Sequence, residues 1–131
     1  MKIIQIFALL TIIILTACAT TPTGRSQLVF MPDSELDSIG LQAFENLKGE
    51  KAISHDAQEN RFVQCIADAI TREVGGNWEV VVFQDQALNA FALPGKKIGV
   101  HTGLIDLVDN QDQLAAVIGH EIGHVMAKAQ Q

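Results

Sequence analysis

A chain of 131 residues has room for one small domain, and 48 % hydrophobic against 18 % charged residues is the balance of a folded globular protein, which excludes a disordered one. The net charge of −6, with the basic residues scattered along the chain, excludes an electrostatic nucleic-acid binder.

The first element is a basic start, Met1-Lys2, followed by an apolar run from Ile3 to Leu15 broken only by Gln5 and Thr11. As a helix this run reaches roughly 20 Å, short of the roughly 30 Å hydrocarbon core of a bilayer. It reads as the apolar region of a secretory signal rather than a membrane span. Leu15-Thr16-Ala17-Cys18 closes it with an aliphatic residue, two small ones and a cysteine, the pattern of a bacterial lipoprotein box. That pattern predicts loss of residues 1–17 and lipidation of Cys18, whose acyl chains would hold the protein on a membrane. Ala19 stands where an Asp would favour inner-membrane retention, which points to the outer membrane. Residues 18–33, with Pro22 and Gly24, read as a tether. The other cysteine, Cys65, falls in an apolar helical pattern and is expected as a buried thiol, with a disulfide as the alternative.

From residue 34 to 131 the pattern is that of a domain. A first helix is predicted from Asp33 or Ser34 to near Gly49, with the stripe Leu36, Ile39, Ala43 and Leu47. A second runs from about Asp56 to Val74, with Phe62, Ile66, Ala69 and Ile70 inward and Gly75-Gly76 as its stop. The period then shortens to that of strands at Trp78–Phe83, Ala90–Leu93 and Lys97–His101, the last two joined by the turn former Pro94-Gly95. A short helix from Leu104 to Val108 follows, and Asp109 or Asn110 caps a final helix. The order gives an α+β fold, a small sheet with the final helix packed beneath it.

That final helix carries His120-Glu121-Ile122-Gly123-His124 in an apolar frame. Residues four apart on a helix lie about 6 Å apart along the axis and share a face, so both imidazoles can reach one ion. Glu121 is turned about 100° from His120 and can flank a metal without ligating it. This H-E-x-x-H layout is that of a zinc hydrolase with the carboxylate as general base, cleaving a peptide bond. The bland alternative is a helix with two incidental histidines. The apolar neighbours suggest a helix buried on several sides, where two imidazoles and a carboxylate need partners. Gly119 and Gly123 read as points of close backbone approach. His55 is expected at an exposed helix start without a role. His101 is expected as an ordinary strand-end residue, with substrate contact as the alternative.

Three segments in order, Asn89–Gly95, Ile98–Ile105 and Leu114–Val125, resemble the HtpX and CAAX-prenyl-protease type of zinc metallopeptidase. The lipoprotein start and Thr23-Gly-Arg-Ser-Gln-Leu28 resemble its periplasmic lipoprotein branch. The resemblance implies a zincin-like fold and a gluzincin site: one Zn2+ per subunit, His120 and His124 as metal ligands, Glu121 as catalytic base and a Glu ligand from a later helix. No residue of this sequence takes that last role. The chain is therefore expected to be the N-terminal part of a longer domain, and alone to bind zinc weakly and cleave little. The resemblance also places Asn89, Ala90, Phe91 and Ala92 beside the substrate cleft. Two positions depart from the family pattern: Lys96, where Gly often stands, and Ala129, where His often stands.

The expected function is that of a zinc endopeptidase acting on misfolded or mis-assembled cell-envelope polypeptides. It would be a periplasm-facing lipoprotein, anchored through its lipid, with outer-membrane assembly machinery as a partner and no nucleic acid. The alternative is a non-catalytic envelope lipoprotein serving as chaperone or assembly factor.

Overall fold

The computed structural model describes residues 18–20, 26–28 and 31–129. Residues 1–17, expected as a signal segment, lie outside the described residues. Within the expected tether, two short strands, β1 (Cys18–Thr20) and β2 (Ser26–Leu28), pair antiparallel with Cys18 opposite Leu28. The expected tether thus carries one paired ribbon among its described residues.

Helix α1 (Asp33–Glu50) and helix α2 (Ala57–Val74) come next. The Asp56 side chain caps α2 by accepting the backbone N–H groups of Gln58 and Glu59, and Gly75 ends it at φ 78°. Strands β3 (Glu79–Phe83), β4 (Ala90–Leu93) and β5 (Lys97–His101) form a mixed sheet in the order β3-β5-β4. β3 and β5 are parallel with Glu79 opposite Lys97, whereas β4 and β5 form an antiparallel hairpin. Helix α3 (Thr102–Leu107) and helix α4 (Gln111–Lys128) complete the described fold, with Asn110 capping α4 through Asp112 and Gln113 N–H.

Strand alternation sends Val82, Ala90, Ile98 and Val100 into one core with Val63, Ile66 and Ala67 of α2 and Leu114, Ile118 and Ile122 of α4. The fold is α+β as expected, but the sheet is covered on both faces. α1 packs on the face opposite α4, where Phe44 meets Phe83 and Phe91 edge-on at 6.1 and 6.4 Å between centroids. Four expected burials are corrected. Ile39 (54 % exposed) and Ala43 of α1 face solvent, because Gly40 and Phe44 take the inward stripe. Ala69 of α2 is exposed, its place in the core going to Val63 and Ala67. Cys65 is exposed as well, so its thiol is not a core group.

The hairpin turn is where α1 fixes the sheet. Gly95 and Lys96 both have positive φ, 84° and 60°. The Gly95 N–H donates to Asp37 Oδ1 of α1 at 2.8 Å. Gly40, one turn on, lies so close to Pro94 that a Cβ would collide with its carbonyl. The left-handed conformation at Lys96 is the physical reason a glycine suits that position.

Candidate metal and substrate site

The buried residues of α4 fall at Leu114, Ile118 and Ile122, spaced by four, and each is at most 1 % exposed. Two residues further along a helix is a rotation of about 200°, so His120 and His124 emerge on the opposite side. Both are exposed, and Glu121 between them is half-buried. This corrects the expectation of a helix buried on several sides: Ala116, Gly123 and Ala127 also face solvent on that side. Nothing lies within 4 Å of a Cβ built at Gly119 or Gly123, so neither glycine serves a close backbone approach among the described residues. The exposed face is small and polar rather than a broad apolar surface.

The two imidazoles stand at 90° with ring centroids 4.3 Å apart, and their Nε2 atoms are 2.8 Å from each other. That separation is within hydrogen-bond range, with the donor set by the tautomers of the two rings. Zinc takes neutral imidazole nitrogens at about 2.0–2.1 Å, and two tetrahedral ligands then lie about 3.3 Å apart. A side-chain adjustment of about 0.5 Å would fit the pair, with both Nε2 atoms unprotonated, to the ion. The donor chemistry and convergence therefore suit a metal. Among the described residues no group of three or more His, Cys, Asp or Glu side chains could hold one, so the pair supplies two ligands.

β4 packs against α4 and is an edge strand, with β5 on one side and no strand on the other among the described residues. His101 N–H donates to Asn89 O at 3.0 Å, which makes Asn89–His101 a hydrogen-bonded pair. The antiparallel ladder then alternates, so Phe91 and Leu93 also point their backbone groups at β5. The N–H and C=O groups of Ala90 and Ala92 point outward. The structure thus sorts the four residues expected at the cleft. Ala90, although buried at 6 % exposure, and half-buried Ala92 turn their backbone groups away from β5, Asn89 is an exposed residue at the strand start, and Phe91 turns its ring into the cluster with Phe44 and Phe83.

Three features were not legible from spacing. Asp85 follows β3 and gathers contacts from Lys51, Ala87 and Thr102; Lys51 first, then the Ala87 N–H, hold its carboxyl below the usual range. His101 is buried rather than an ordinary strand-end residue. His55 is exposed, as expected. A polar cavity of about 410 Å3 beside Asp85, lined also by Ser54, Glu59 and Thr102, lies away from the His120–His124 pair.

The sequence profile of Peptidase family M48 matches residues 54–130. Similar proteins include mitochondrial metalloendopeptidase OMA1 of Arabidopsis thaliana, 42 % identical over 72 residues, which are 54 % of this chain and 15 % of that protein. The human mitochondrial metalloendopeptidase OMA1 is 30 % identical over 114 residues, 79 % of this chain and 22 % of that protein. Metalloprotease LoiP of Escherichia coli (strain K12) is 29 % identical over 103 residues, 76 % of this chain and 40 % of that protein. The chain thus spans 15 % to 40 % of the length of these relatives.

Proposed function

Since this chain belongs to peptidase family M48, a family of zinc-dependent metallopeptidases, we propose that it carries part of the active site of a zinc endopeptidase. The observation that carries this reading is the convergence of His120 and His124 Nε2, 2.8 Å apart, on the exposed side of a helix anchored behind by Ile118 and Ile122. His120 and His124 would hold the metal through these atoms, with a third protein ligand outside the described residues. When bound, zinc polarises the scissile carbonyl and acidifies a water towards neutral pH. Glu121 takes the proton of the attacking water and delivers it to the leaving amine. The outward groups of Ala90 and Ala92 receive an extended peptide as an added strand, which places its backbone rather than its side chains.

The substrate class we assign is misfolded or mis-assembled envelope polypeptide, and the location is the periplasmic side of the outer membrane, anchored through Cys18. The lipoprotein box supports that location. The OMA1 relatives are mitochondrial by name, so family membership alone does not specify a compartment. Casein cleavage by the complete gene product tests the reading. Chelator should abolish it, and Glu121→Gln should lower turnover at least about 100-fold while zinc stays bound. Unchanged cleavage in Glu121→Gln would sink the mechanism, whereas no cleavage by the unaltered complete protein would favour a non-catalytic chaperone.

A further inference from the structure

His101 ends β5 at 5 % exposure, and neither of its ring nitrogens has a hydrogen-bond partner. Buried polar atoms are nearly always paired, so two orphans on one ring need a reason. The ring stands edge-on to Phe83 and Phe91, with centroids 6.2 and 6.1 Å away. Its Nδ1 lies 3.8 Å from Asp85 Oδ2, inside charge range but beyond a hydrogen bond.

We propose that His101 is a positioning residue for the edge strand β4: on gaining a proton it draws Asp85 away from Lys51 and resets the segment leading into that strand. The consequence for substrate rests on the peptidase reading above; the coupling does not.

The connections are short. Asp85 Oδ1 accepts the Ala87 N–H at 2.9 Å, and the Asp85 carbonyl accepts the Gly103 N–H at 2.8 Å. Asn89 O accepts the His101 N–H at 3.0 Å. Both ends of the 85–89 segment are therefore tied to His101 and its neighbours, and β4 begins at the next residue. A neutral imidazole there leaves its two nitrogens unpaired, and a cation among the aromatic rings needs a partner still more. Asp85 can become that partner by closing from 3.8 Å to about 2.8 Å, the length of a charge-assisted bond. A movement of about 1 Å there shifts Ala87 and Asn89, and with them the outward groups of Ala90 and Ala92.

The other charged groups around this cluster are carboxylates and lysines. From the α1 side, Lys51 pairs with Asp85, and Lys48 lies 5.6 Å from the Phe44 ring centroid. Glu79 stands at the far end of β3, paired with Lys48 and Lys97. Asp56 and Glu59 at the start of α2 and Asp106 of α3 share the polar cavity with Asp85. Carboxylates ordinarily titrate near pH 4 and lysines above pH 10, while imidazole changes charge between about pH 5 and 8.

Nuclear magnetic resonance of the metal-free chain from pH 5 to 8 tests the coupling without substrate or metal. The His101 ring nitrogens should titrate, and the amides from Asp85 to Phe91 should follow with the same midpoint. In His101→Phe, which keeps an aromatic ring, those amides should stay flat; Asp85→Asn should lose the response while His101 is intact. A His101 ring that keeps one protonation state throughout, read in the unaltered protein, overturns the proposal. So does an amide response that survives in His101→Phe. In the complete zinc-loaded protein, KM for an extended peptide should rise about five-fold on acidification from pH 7.5 to 6. The same rise should be absent in His101→Phe, with the pH profile of kcat alike in both. An equal pH dependence of KM in both overturns the role in positioning. Amides that titrate in a protein that cleaves no peptide would leave the coupling standing and remove the peptidase reading.

Discussion

A side chain at Gly40 would have to occupy the space of the Pro94 carbonyl, and backbone on both sides cannot move aside as a flexible side chain could. Gly40→Ala is therefore expected to destabilise the fold by about 1–3 kcal/mol, the usual cost of overpacking. Urea unfolding should show a lower midpoint at unchanged slope; an unchanged midpoint would mean that α1 does not dock tightly. This role was not legible in the sequence, because a glycine in a helical pattern looks like a mild propensity defect. Its partner is a carbonyl 54 positions away (94 − 40), and no local pattern encodes that. Asp37, whose carboxylate holds the Gly95 N–H, was equally hidden. By contrast, the need for Gly95 itself was readable, since Pro-Gly is a turn signal at any depth of the fold.

At the level of elements, α4 divides its work between two sides. Ile122 is 1 % exposed, so Ile122→Ala should cost about 2–5 kcal/mol. His120→Ala and His124→Ala alter exposed side chains and should change metal-free stability by no more than about 0.5 kcal/mol. Thermal unfolding with and without added zinc separates the two sides. Zinc should raise the melting temperature of the unaltered protein by mass action, but not that of either histidine variant. A histidine variant that is still stabilised by zinc would show that the metal sits elsewhere. Helix α4 was legible because its apolar period, its asparagine cap and its motif agree. The exposure of the histidine side was not, since an apolar neighbourhood in sequence does not say which neighbours point the same way.

Across the whole molecule, the sheet and α1 are joined by a charge network centred on Glu79, which bonds Lys48 Nζ at 2.7 Å and Lys97 Nζ at 2.9 Å. Lys48 first, then Lys97, hold the Glu79 carboxyl below its usual range. The folded state then binds fewer protons than the unfolded state, so this contribution is present above about pH 4.5 and is lost as pH falls through the lowered value. Glu79 is 36 % exposed, so solvent screening limits the effect to about 1 kcal/mol or less. Glu79→Gln should flatten the acid limb of stability measured from pH 5 to 2; an unaltered limb would assign acid sensitivity to other carboxylates. The strand segments were legible from β-branched and aromatic runs. The parallel pairing of β3 with β5 was not, because the register is set by packing against helices on both faces.

The bond between Asp37 and Gly95 joins positions 58 apart. The hairpin, the turn and α2 can each form from contacts close in the chain, whereas α1 has no docking place until that turn exists. Ordering the intervening chain is an entropic cost met before the contact gives anything back. Helix α1 is therefore expected to dock late in folding, with its hairpin contacts acting on how slowly the native state opens rather than on how fast it is reached. An element that lies wholly before the family-matched segment would in this way set the lifetime of the edge strand.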